Sequence, residues 1–246
     1  MNKRYDGILI CSDVDGTLVS GGRVAERNLE ALRMFMENGG RFTYCTGRDG
    51  SGLAERPIAP ANAPMIGLCG GEIFDTVSHR PLERYPIDGD LPRLLHRLAG
   101  LTAVTEFQIC DGIKSFNYAP DEVPGGFDFP VLKVVVVARD PFGDRLLPDG
   151  VEETCRGICS VGSNGGSTFE LVAYGHDKGA GARRVKELCG AAYLIGVGDN
   201  QADLALLRAA DFGVAVERAI PALKAIADRV VCTAWDGAIA DVIDLL

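Results

Sequence analysis

The chain has 246 residues, of which 47% are hydrophobic and 24% are charged, a balance typical of a globular protein with one large domain or two modest ones. Its 25 basic and 34 acidic residues give a formal net charge of -9, which argues against a general affinity for nucleic acid or anionic membranes. Apolar runs such as 131–138 are far shorter than the roughly 20 residues that a membrane span needs. We therefore expect a cytoplasmic protein that has neither nucleic acid nor a membrane as its partner.

The first part of the chain alternates strand-like and helix-like segments. Residues 8–12 form an apolar run typical of a buried strand, and apolar residues then recur at helical spacing over 25–36. Residues 42–46 and 65–69 predict two further strands. This order is typical of a parallel sheet that is covered by helices.

The middle of the chain differs in composition, because eight of the twelve prolines of the chain lie from residue 81 to residue 148. Three strand-like runs, at 101–109, 131–138 and 168–173, have fewer helices between them. We therefore predict an inserted α+β domain over residues 81–173. Such an insertion is tolerated where the two ends of a core loop lie close together.

The alternating pattern returns after the insertion. It predicts helices at 178–188, 201–210, 221–227 and toward Leu246, and strands at 193–197, 212–216 and 230–231. The predicted fold is therefore α/β, with a Rossmann-like parallel sheet core. Residues 1–80 and 174–246 together form that core, and the α+β insertion lies between them.

Two acidic residues, Asp13 and Asp15, directly follow the first predicted strand. Open α/β sheets bind ligands at the carboxyl ends of their strands, where both residues should lie. Neighbouring carboxylates repel each other unless a proton or a cation intervenes. Asp199 and Asp203 follow a later strand in the same way, and oxygen ligands favour Mg²⁺. The four carboxylates therefore predict one magnesium pocket.

Thr46 ends another predicted strand and begins the sequence Thr46-Gly47-Arg48. Its hydroxyl and the backbone N–H groups of the turn are suited to hold phosphate oxygens. Lys178 opens a predicted helix, and its ammonium could offset the remaining negative charge. Each signal alone is more typical of a turn, a helix cap or a solvated helix residue. Their joint occurrence at strand ends and helix starts favours a functional site.

Four motifs in this order resemble the haloacid dehalogenase-like superfamily of phosphotransferases. They are Asp-Val-Asp-Gly-Thr-Leu from Asp13, Thr-Gly-Arg from Thr46, Lys-Gly from Lys178, and Gly-Asp-Asn-x-x-Asp from Gly198. The long insertion resembles the Cof-type branch, which includes sugar phosphatases, sucrose-phosphate phosphatase-like enzymes and phosphoglycolate phosphatases. The resemblance covers both halves of the predicted core, and it implies that the insertion is a cap domain.

The resemblance implies a phosphatase in which Asp13 is the nucleophile and forms an aspartyl-phosphate that water then cleaves. Asp15 would protonate the leaving alcohol and then deprotonate the water. An acid at this position favours phosphate ester hydrolysis over dehalogenation, because a halide needs no proton to leave. Thr46 and Lys178 would bind the transferring phosphoryl group.

The resemblance also implies the metal ligands and the substrate contacts. Mg²⁺ would be held by the Asp13 side chain, the Asp15 main-chain carbonyl and Asp199, and Asp203 would lie in the outer coordination sphere of the ion. Gly47, Arg48 and Asn200 lie beside the core motifs and are expected to contact the substrate near its phosphate. Glu170 follows the predicted turn 163–166 and resembles a cap residue that family members direct at their substrate. The alternative interpretation makes Glu170 an exposed strand residue.

One position departs from the family pattern. Relatives usually carry Asn-Gly after the third core strand, where this chain has Cys69 and Gly70. A thiol cannot replace the paired donor and acceptor of an amide, so substrate contacts at this position are expected to differ.

We therefore expect a Mg²⁺-dependent phosphatase that acts on a small phosphorylated metabolite, a sugar or sugar-acid phosphate. Phosphoglycolate phosphatase and phosphomutase are alternatives, because both reactions would use the same core. A non-catalytic phosphate-binding module is a remoter alternative, since it would need neither Asp15 nor a large cap. The sequence identifies neither the particular substrate nor the oligomeric state.

Overall fold

A computed structural model describes residues 3–55, 58–142, 147–163 and 165–246. In chain order its strands are β1 (Ile8–Ser12), β2 (Val19–Ser20), β3 (Arg23–Val24), β4 (Arg41–Tyr44), β5 (Met65–Gly67), β6 (Glu72–Asp75), β7 (Arg80–Arg84), β8 (Val104–Cys110), β9 (Ser115–Tyr118), β10 (Lys133–Ala138), β11 (Cys159–Ser163), β12 (Thr168–Ala173), β13 (Tyr193–Gly198), β14 (Phe212–Val216) and β15 (Arg229–Val231). Its helices are α1 (Glu26–Glu37), α2 (Gly50–Glu55), α3 (Leu91–Leu101), α4 (Val151–Cys155), α5 (Lys178–Cys189), α6 (Leu204–Ala209), α7 (Pro221–Lys224) and α8 (Ala238–Asp244). Within these described ranges, no helix has the length and apolar character required to cross a membrane.

The core sheet is parallel and has the strand order β15-β14-β13-β1-β4. Strand β1 lies between β13 and β4, and Ile10 is in register with Ile195 on one side and Phe42 on the other. These three side chains are fully buried, as expected for strands that are covered on both faces. The predicted α/β fold with a Rossmann-like parallel sheet is confirmed.

A second sheet is antiparallel and has the order β11-β12-β10-β8-β9. It has its own hydrophobic core, in which Phe107, Val134 and Phe169 pack with buried residues of α3 and α4. The observed sheet lies within the segment that the sequence assigns to an α+β cap. The domain limits themselves stay a prediction, and the limit at residue 81 falls within β7, which pairs with β6.

Helix α3 was missed by the sequence analysis, which assigned Leu101 to a strand. The helix has recognisable start signals, since the Asp90 side chain accepts a hydrogen bond from the Arg93 N–H at 3.1 Å and Pro92 lies in the first turn. Leu94, Leu95 and Leu98 are buried against the second sheet. Packing on that sheet therefore outweighs the strand-like composition at the end of this segment.

The predicted strand over 65–69 ends early, at Gly67. Leu68 and Cys69 have positive φ angles of 50° and 57°, which turn the chain out of the strand. Strand β5 pairs antiparallel with β6 and touches the parallel sheet at the bridge between Ile66 and Cys45. The turn brings Cys69 beneath the second sheet.

The two chain segments that connect the sheets lie side by side. Tyr85, which follows β7, stacks on His176, which precedes α5, with ring centroids 3.8 Å apart. Arg184 on α5 pairs with Glu83 of β7, and its Nε lies 2.9 Å from Glu83 Oε1. The connections are therefore anchored to the helix that begins with Lys178.

The start of α5 packs closely on α6 through Gly179. A Cβ atom placed on Gly179 would lie 2.2 Å from the carbonyl oxygen of Ala205, which is backbone and cannot move aside cheaply. Gly179 follows Lys178 directly, so this close helix contact also fixes where the Lys178 side chain begins.

We expect Gly179→Ala to lower the free energy of unfolding by about 1–3 kcal/mol, because the added methyl group overpacks the contact between helices. The matched control is Gly100→Ala in α3, where, among the described residues, no atom outside its own helix backbone and chain neighbours lies within 4 Å of the new Cβ. That change should raise stability by about 0.5–1 kcal/mol through its better helix propensity. Urea unfolding of both variants measures the difference, and equal effects of the two substitutions would contradict the proposed packing.

Candidate active site

A cavity of about 440 Å³ opens at the carboxyl ends of β1, β4 and β13, where the second sheet lies over the core. The structure brings together there all ten residues that the sequence analysis assigned to the site. They are Asp13, Asp15, Thr46, Gly47, Arg48, Glu170, Lys178, Asp199, Asn200 and Asp203. Their individual roles stay predictions.

Lys178 lies at the centre of the site, and its side chain is only 3% exposed. Its ammonium donates hydrogen bonds of 2.6 Å to Asp13 Oδ1 and of 2.6 Å to Asp203 Oδ1. Asp13 directly follows β1, Asp203 precedes α6, and Lys178 opens α5, with the Asp177 side chain capping that helix. One buried cation thus joins three separate segments of the chain.

Burial and neighbouring carboxylates shift the acid–base behaviour of the site. Burial raises the pKa of Asp13 to about 8, and the nearby Asp203 and Asp199 add to this rise although Lys178 opposes it. Burial likewise raises the pKa of Asp199 to about 6, with Asp203 contributing. Burial acts to lower the pKa of Lys178, but Asp13 and Asp203 outweigh it and raise that pKa well above its ordinary value. The site therefore carries more negative charge than its buried cation balances.

Three carboxylates could hold a metal ion. Asp13, Asp199 and Asp203 each offer an oxygen, and these atoms lie within 4.8 Å of one another. An oxygen-only set with surplus negative charge fits Mg²⁺. Asp203 is already engaged through both oxygens, since Oδ1 accepts from Lys178 and Oδ2 accepts from the N–H groups of Asp199 and Asn200 at 3.0 Å each. The expectation that Asp203 lies in the outer coordination sphere of the ion stays a prediction.

Gly16 and Thr17 of the first motif shape the other side of this cluster. Thr17 Oγ1 donates a hydrogen bond of 3.0 Å to Asp199 Oδ1. Gly16 has a φ of +95°, and a Cβ atom there would lie 2.4 Å from Asp199 Oδ2. Only glycine fits this position, because it adopts such a φ readily and leaves room for the carboxylate.

The Asp15 side chain does not join the carboxylate cluster. It pairs with Arg48, whose Nε donates to Asp15 Oδ2 at 2.9 Å and whose Nη2 donates to Asp15 Oδ1. The Asp15 side chain is 59% exposed, so this pair lies at the open mouth of the cavity. A metal contact of Asp15 through its main-chain carbonyl stays a prediction.

The turn after β4 forms part of the cavity wall through Thr46, Gly47 and Arg48. Thr46 is buried, and its hydroxyl accepts a hydrogen bond of 3.2 Å from the Arg48 N–H. A Cβ atom on Gly47 would lie 3.1 Å from Glu170 Oε1 and 3.2 Å from Cys69 Sγ. The small residue therefore lets β12 approach the turn closely.

Glu170 is buried, which rules out the alternative interpretation of an exposed strand residue. Its Oε1 accepts a hydrogen bond of 2.8 Å from Lys133 Nζ, and its Oε2 accepts one of 2.7 Å from Cys69 Sγ. Burial and the adjacent carboxylate raise the pKa of Cys69 well above its ordinary value, so the thiol stays neutral and acts as the donor. Lys133 was missed by the sequence analysis, because a single lysine at the start of an apolar strand carries no distinguishing signal.

The predicted turn at 163–166 includes Asn164, which lies outside the described residues. Next to it, the backbone N–H of Ser163 donates to the side-chain carbonyl of Gln201. Gln201 follows the Gly-Asp-Asn motif directly, so the second sheet contacts the core beside the metal cluster as well as at Gly47. This contact was also missed by the sequence analysis.

Comparisons with known proteins agree with this arrangement. The sequence profile of the haloacid dehalogenase-like hydrolases matches residues 10–122 and 114–243. Phosphoglycolate phosphatase 2 of Saccharolobus solfataricus is 48% identical over 61 residues, which are 24% of this chain and 26% of that protein. The chain thus matches about a quarter of the length of this curated relative.

Two solved structures share the fold over nearly the whole chain. The sugar phosphatase BT4131, assigned to subclass IIB of the superfamily, superposes with a TM-score of 0.77 at 19% identity and covers 96% of this chain and 98% of its own. BT1666 of Bacteroides thetaiotaomicron, a phosphatase of the same superfamily, gives a TM-score of 0.78 at 19% identity, with 98% and 95% covered. At this identity the likeness establishes the fold alone.

The raised pKa of Asp13 predicts how the stability of the metal-free protein depends on pH. In the unfolded state Asp13 loses its proton near its ordinary pKa of 3.8, whereas in the folded state it keeps the proton up to about pH 8. The free energy of unfolding should therefore fall as the pH rises from about 3.8 to about 8. The Tm of the wild type in EDTA, measured relative to that of Asp13→Asn at each pH, should therefore fall across this window, and Mg²⁺ should reduce this slope because it replaces the proton as countercharge. Asp13→Asn should flatten the EDTA profile; parallel profiles for the variant and the wild type would contradict this assignment.

Proposed function

The chain belongs to the haloacid dehalogenase-like hydrolase family, and we propose that it is a Mg²⁺-dependent phosphatase that acts on a small phosphorylated metabolite. The observation that carries the proposal is the buried ammonium of Lys178 between Asp13 and Asp203, beside Asp199, in a cavity that also contains Thr46. This arrangement holds a carboxylate next to sites for a metal ion and for phosphate oxygens. The sequence predicts an enzyme of the hydrolase class, and membership of the family confirms this prediction.

In the proposed reaction, a carboxylate oxygen of Asp13 attacks the phosphorus atom in line with the ester bond. A new O–P bond forms at Asp13 while the bond from phosphorus to the ester oxygen breaks, and Asp15 gives its proton to the departing alkoxide. Asp15 then takes a proton from a water molecule, whose oxygen attacks the aspartyl-phosphate. Inorganic phosphate leaves, and the Asp13 carboxylate is restored.

Asp13 and Asp199, with Asp203 one layer away, are the side chains that would hold Mg²⁺. When bound, the ion neutralises negative charge on the phosphoryl group and on the carboxylates. Lys178 keeps Asp13 in position through its 2.6 Å hydrogen bond and adds a fixed positive charge at the site of attack. Because Lys178 is buried, solvent has little effect on the position of its ammonium.

Arg48 and Thr46 complete the proposed phosphate site. In the structure, Arg48 pairs with Asp15. We expect an anionic phosphate to draw the guanidinium away, which leaves Asp15 beside the ester oxygen that it must protonate. The Thr46 hydroxyl and the Gly47 N–H then hold the oxygens that face away from the attack, since the N–H groups of Thr46 and Arg48 donate to Ile66 and to the Thr46 hydroxyl.

The class of substrate is determined by its organic part, which lies outside the phosphate site. We propose a sugar or sugar-acid phosphate, and phosphoglycolate is a second candidate because the curated relative of Saccharolobus solfataricus carries that activity in its name. A phosphomutase would use the same core. The cytoplasmic location and the lack of a nucleic-acid partner stay predictions from composition and charge.

We expect Asp13→Asn to abolish phosphate release from p-nitrophenyl phosphate, because an amide is not the required nucleophile. The matched control is Asp6→Asn, which makes the same change at an exposed position near the start of β1. Wild-type activity should require Mg²⁺ and disappear in EDTA. Undiminished turnover of Asp13→Asn would exclude the nucleophile, and full activity in EDTA would exclude the metal.

The two roles of Asp15 can be separated with the same substrate. p-Nitrophenolate leaves without help from an acid, so Asp15→Asn should still transfer the phosphoryl group to Asp13, while removal of the base slows attack by water about 10²–10⁴-fold. Stopped-flow measurement should therefore show a burst of p-nitrophenol equal in amount to the enzyme, followed by slow turnover. A slow steady rate without a burst would argue against an accumulating aspartyl-phosphate.

A further inference from the structure

A second cavity, of about 390 Å³, lies next to the first at the Thr46–Arg48 turn. It shares Gly47 and Arg48 with the first cavity, so the two adjoin at this turn. A substrate whose phosphate occupies the first cavity can therefore extend its organic part into the second. The lining consists of Gly47, Arg48, Asp49, Gly52, Leu53, Leu68, Cys110, Ser115 and Lys133.

Lys133 lies where the two cavities meet, because it lines the second cavity and bonds to Gly47 and Glu170 of the first. It is the first residue of β10, is 9% exposed, and reaches from the second sheet to the core turn. Its ammonium donates hydrogen bonds of 2.7 Å to the Gly47 carbonyl and 2.8 Å to Glu170 Oε1. An ammonium has three N–H donors, and these two contacts use two of them. The third can serve a ligand in the second cavity, which Lys133 lines.

The charges around both cavities determine which kind of ligand this donor suits. Among the described residues that line them, six carboxylates face three cations. The Lys133 charge is already balanced by Glu170 at 2.8 Å. A second anionic group on the substrate would add to the excess of negative charge, whereas an uncharged hydroxyl would not.

The remaining groups of the second cavity match a polyhydroxylated chain or ring. The Asp49 carboxylate and the Ser115 hydroxyl can accept hydrogen bonds from hydroxyl groups. Leu53 and Leu68 provide apolar surface for the C–H faces that lie between such groups. Pockets of this kind combine apolar walls with a few polar groups that fix orientation.

We propose that Lys133 is a specificity-determining residue that binds a hydroxyl group of an uncharged, polyhydroxylated part of the substrate in the second cavity. The inference rests on the proposed phosphatase function and narrows its substrate class to neutral sugar or polyol phosphates. Phosphoglycolate, which is short and carries a second negative charge, would be a poor substrate. A purely structural alternative would give Lys133 only the task of neutralising Glu170.

The test compares Lys133→Met with wild type on two substrates, a hexose 6-phosphate and p-nitrophenyl phosphate, which has no hydroxyl group to bind. Loss of a charge-assisted hydrogen bond should raise KM for the sugar phosphate about 10- to 100-fold while kcat changes little. KM for p-nitrophenyl phosphate should rise much less, because that substrate loses no hydroxyl contact and feels only the change at the Gly47 turn. Lys114→Met is the matched control, because it removes an exposed lysine from the turn between β8 and β9 of the same sheet.

An equal loss of kcat/KM on both substrates would overturn the proposal, because a structural role affects every phosphate ester alike. Lys133→Arg keeps the charge opposite Glu170 and remains testable if the Met variant fails to fold. Its broader guanidinium should also raise KM selectively for the sugar phosphate. A selectivity unchanged from wild type in a folded Arg variant would count against hydroxyl recognition by Lys133.

Wild-type selectivity separates this inference from the function on which it rests. A higher kcat/KM for the hexose 6-phosphate than for phosphoglycolate is the expected result. The reverse order would overturn the neutral substrate class and leave the phosphatase function intact. An absence of Mg²⁺-dependent hydrolysis of every phosphate ester would overturn both.

Discussion

The site depends on a single buried cation between two carboxylates. Lys178 is almost fully buried, and a lone ammonium in such a position would be very costly to desolvate. Its bonds to Asp13 and Asp203 remove that cost and at the same time fix both acids. Without Lys178, one of the two acids would have to stay protonated, because like charges at this distance repel strongly. The geometry of the proposed nucleophile is therefore a consequence of how Lys178 is held.

Backbone packing determines where Lys178 is held. Helix α5 starts against α6 at Gly179, where even a methyl group would collide with the Ala205 carbonyl. The carboxylates come from the ends of β1 and β13, which are adjacent strands in the sheet. Gly16 then leaves space for Asp199 beside the first motif. Glycines at close approaches, rather than further polar contacts, bring the charged side chains within reach of one another.

The core of this arrangement could be predicted from the sequence for a physical reason. Parallel strands deliver the residues that follow them to one edge of the sheet, so motifs after β1, β4 and β13 must meet there whatever the loops do. No comparable rule predicts which residues of the second sheet contact the core. Lys133 and Gln201 reach the site through the packing of one sheet over another, and their spacing in the chain carries no sign of it. Cys69 drew notice only as a departure from the family pattern, which did not predict its bond to Glu170. Helix α3 had a readable start in Asp90 and Pro92, but its apolar C-terminal end also suits a strand.

The contact of Lys133 with Gly47 joins substrate selection to phosphate binding. The Gly47 carbonyl that accepts from Lys133 belongs to the turn that lines both cavities, so the second sheet must lie close to the core for both cavities to keep their shape. Cys69 strengthens this junction, since its neutral thiol donates to Glu170 where an ionised sulfur would repel the carboxylate. An organic group that fits the second cavity would hold the two sheets together over the reacting phosphate. The binding energy of that organic group would then help to exclude all water except the attacking molecule. This would be the advantage of binding the organic group with residues of a separate sheet.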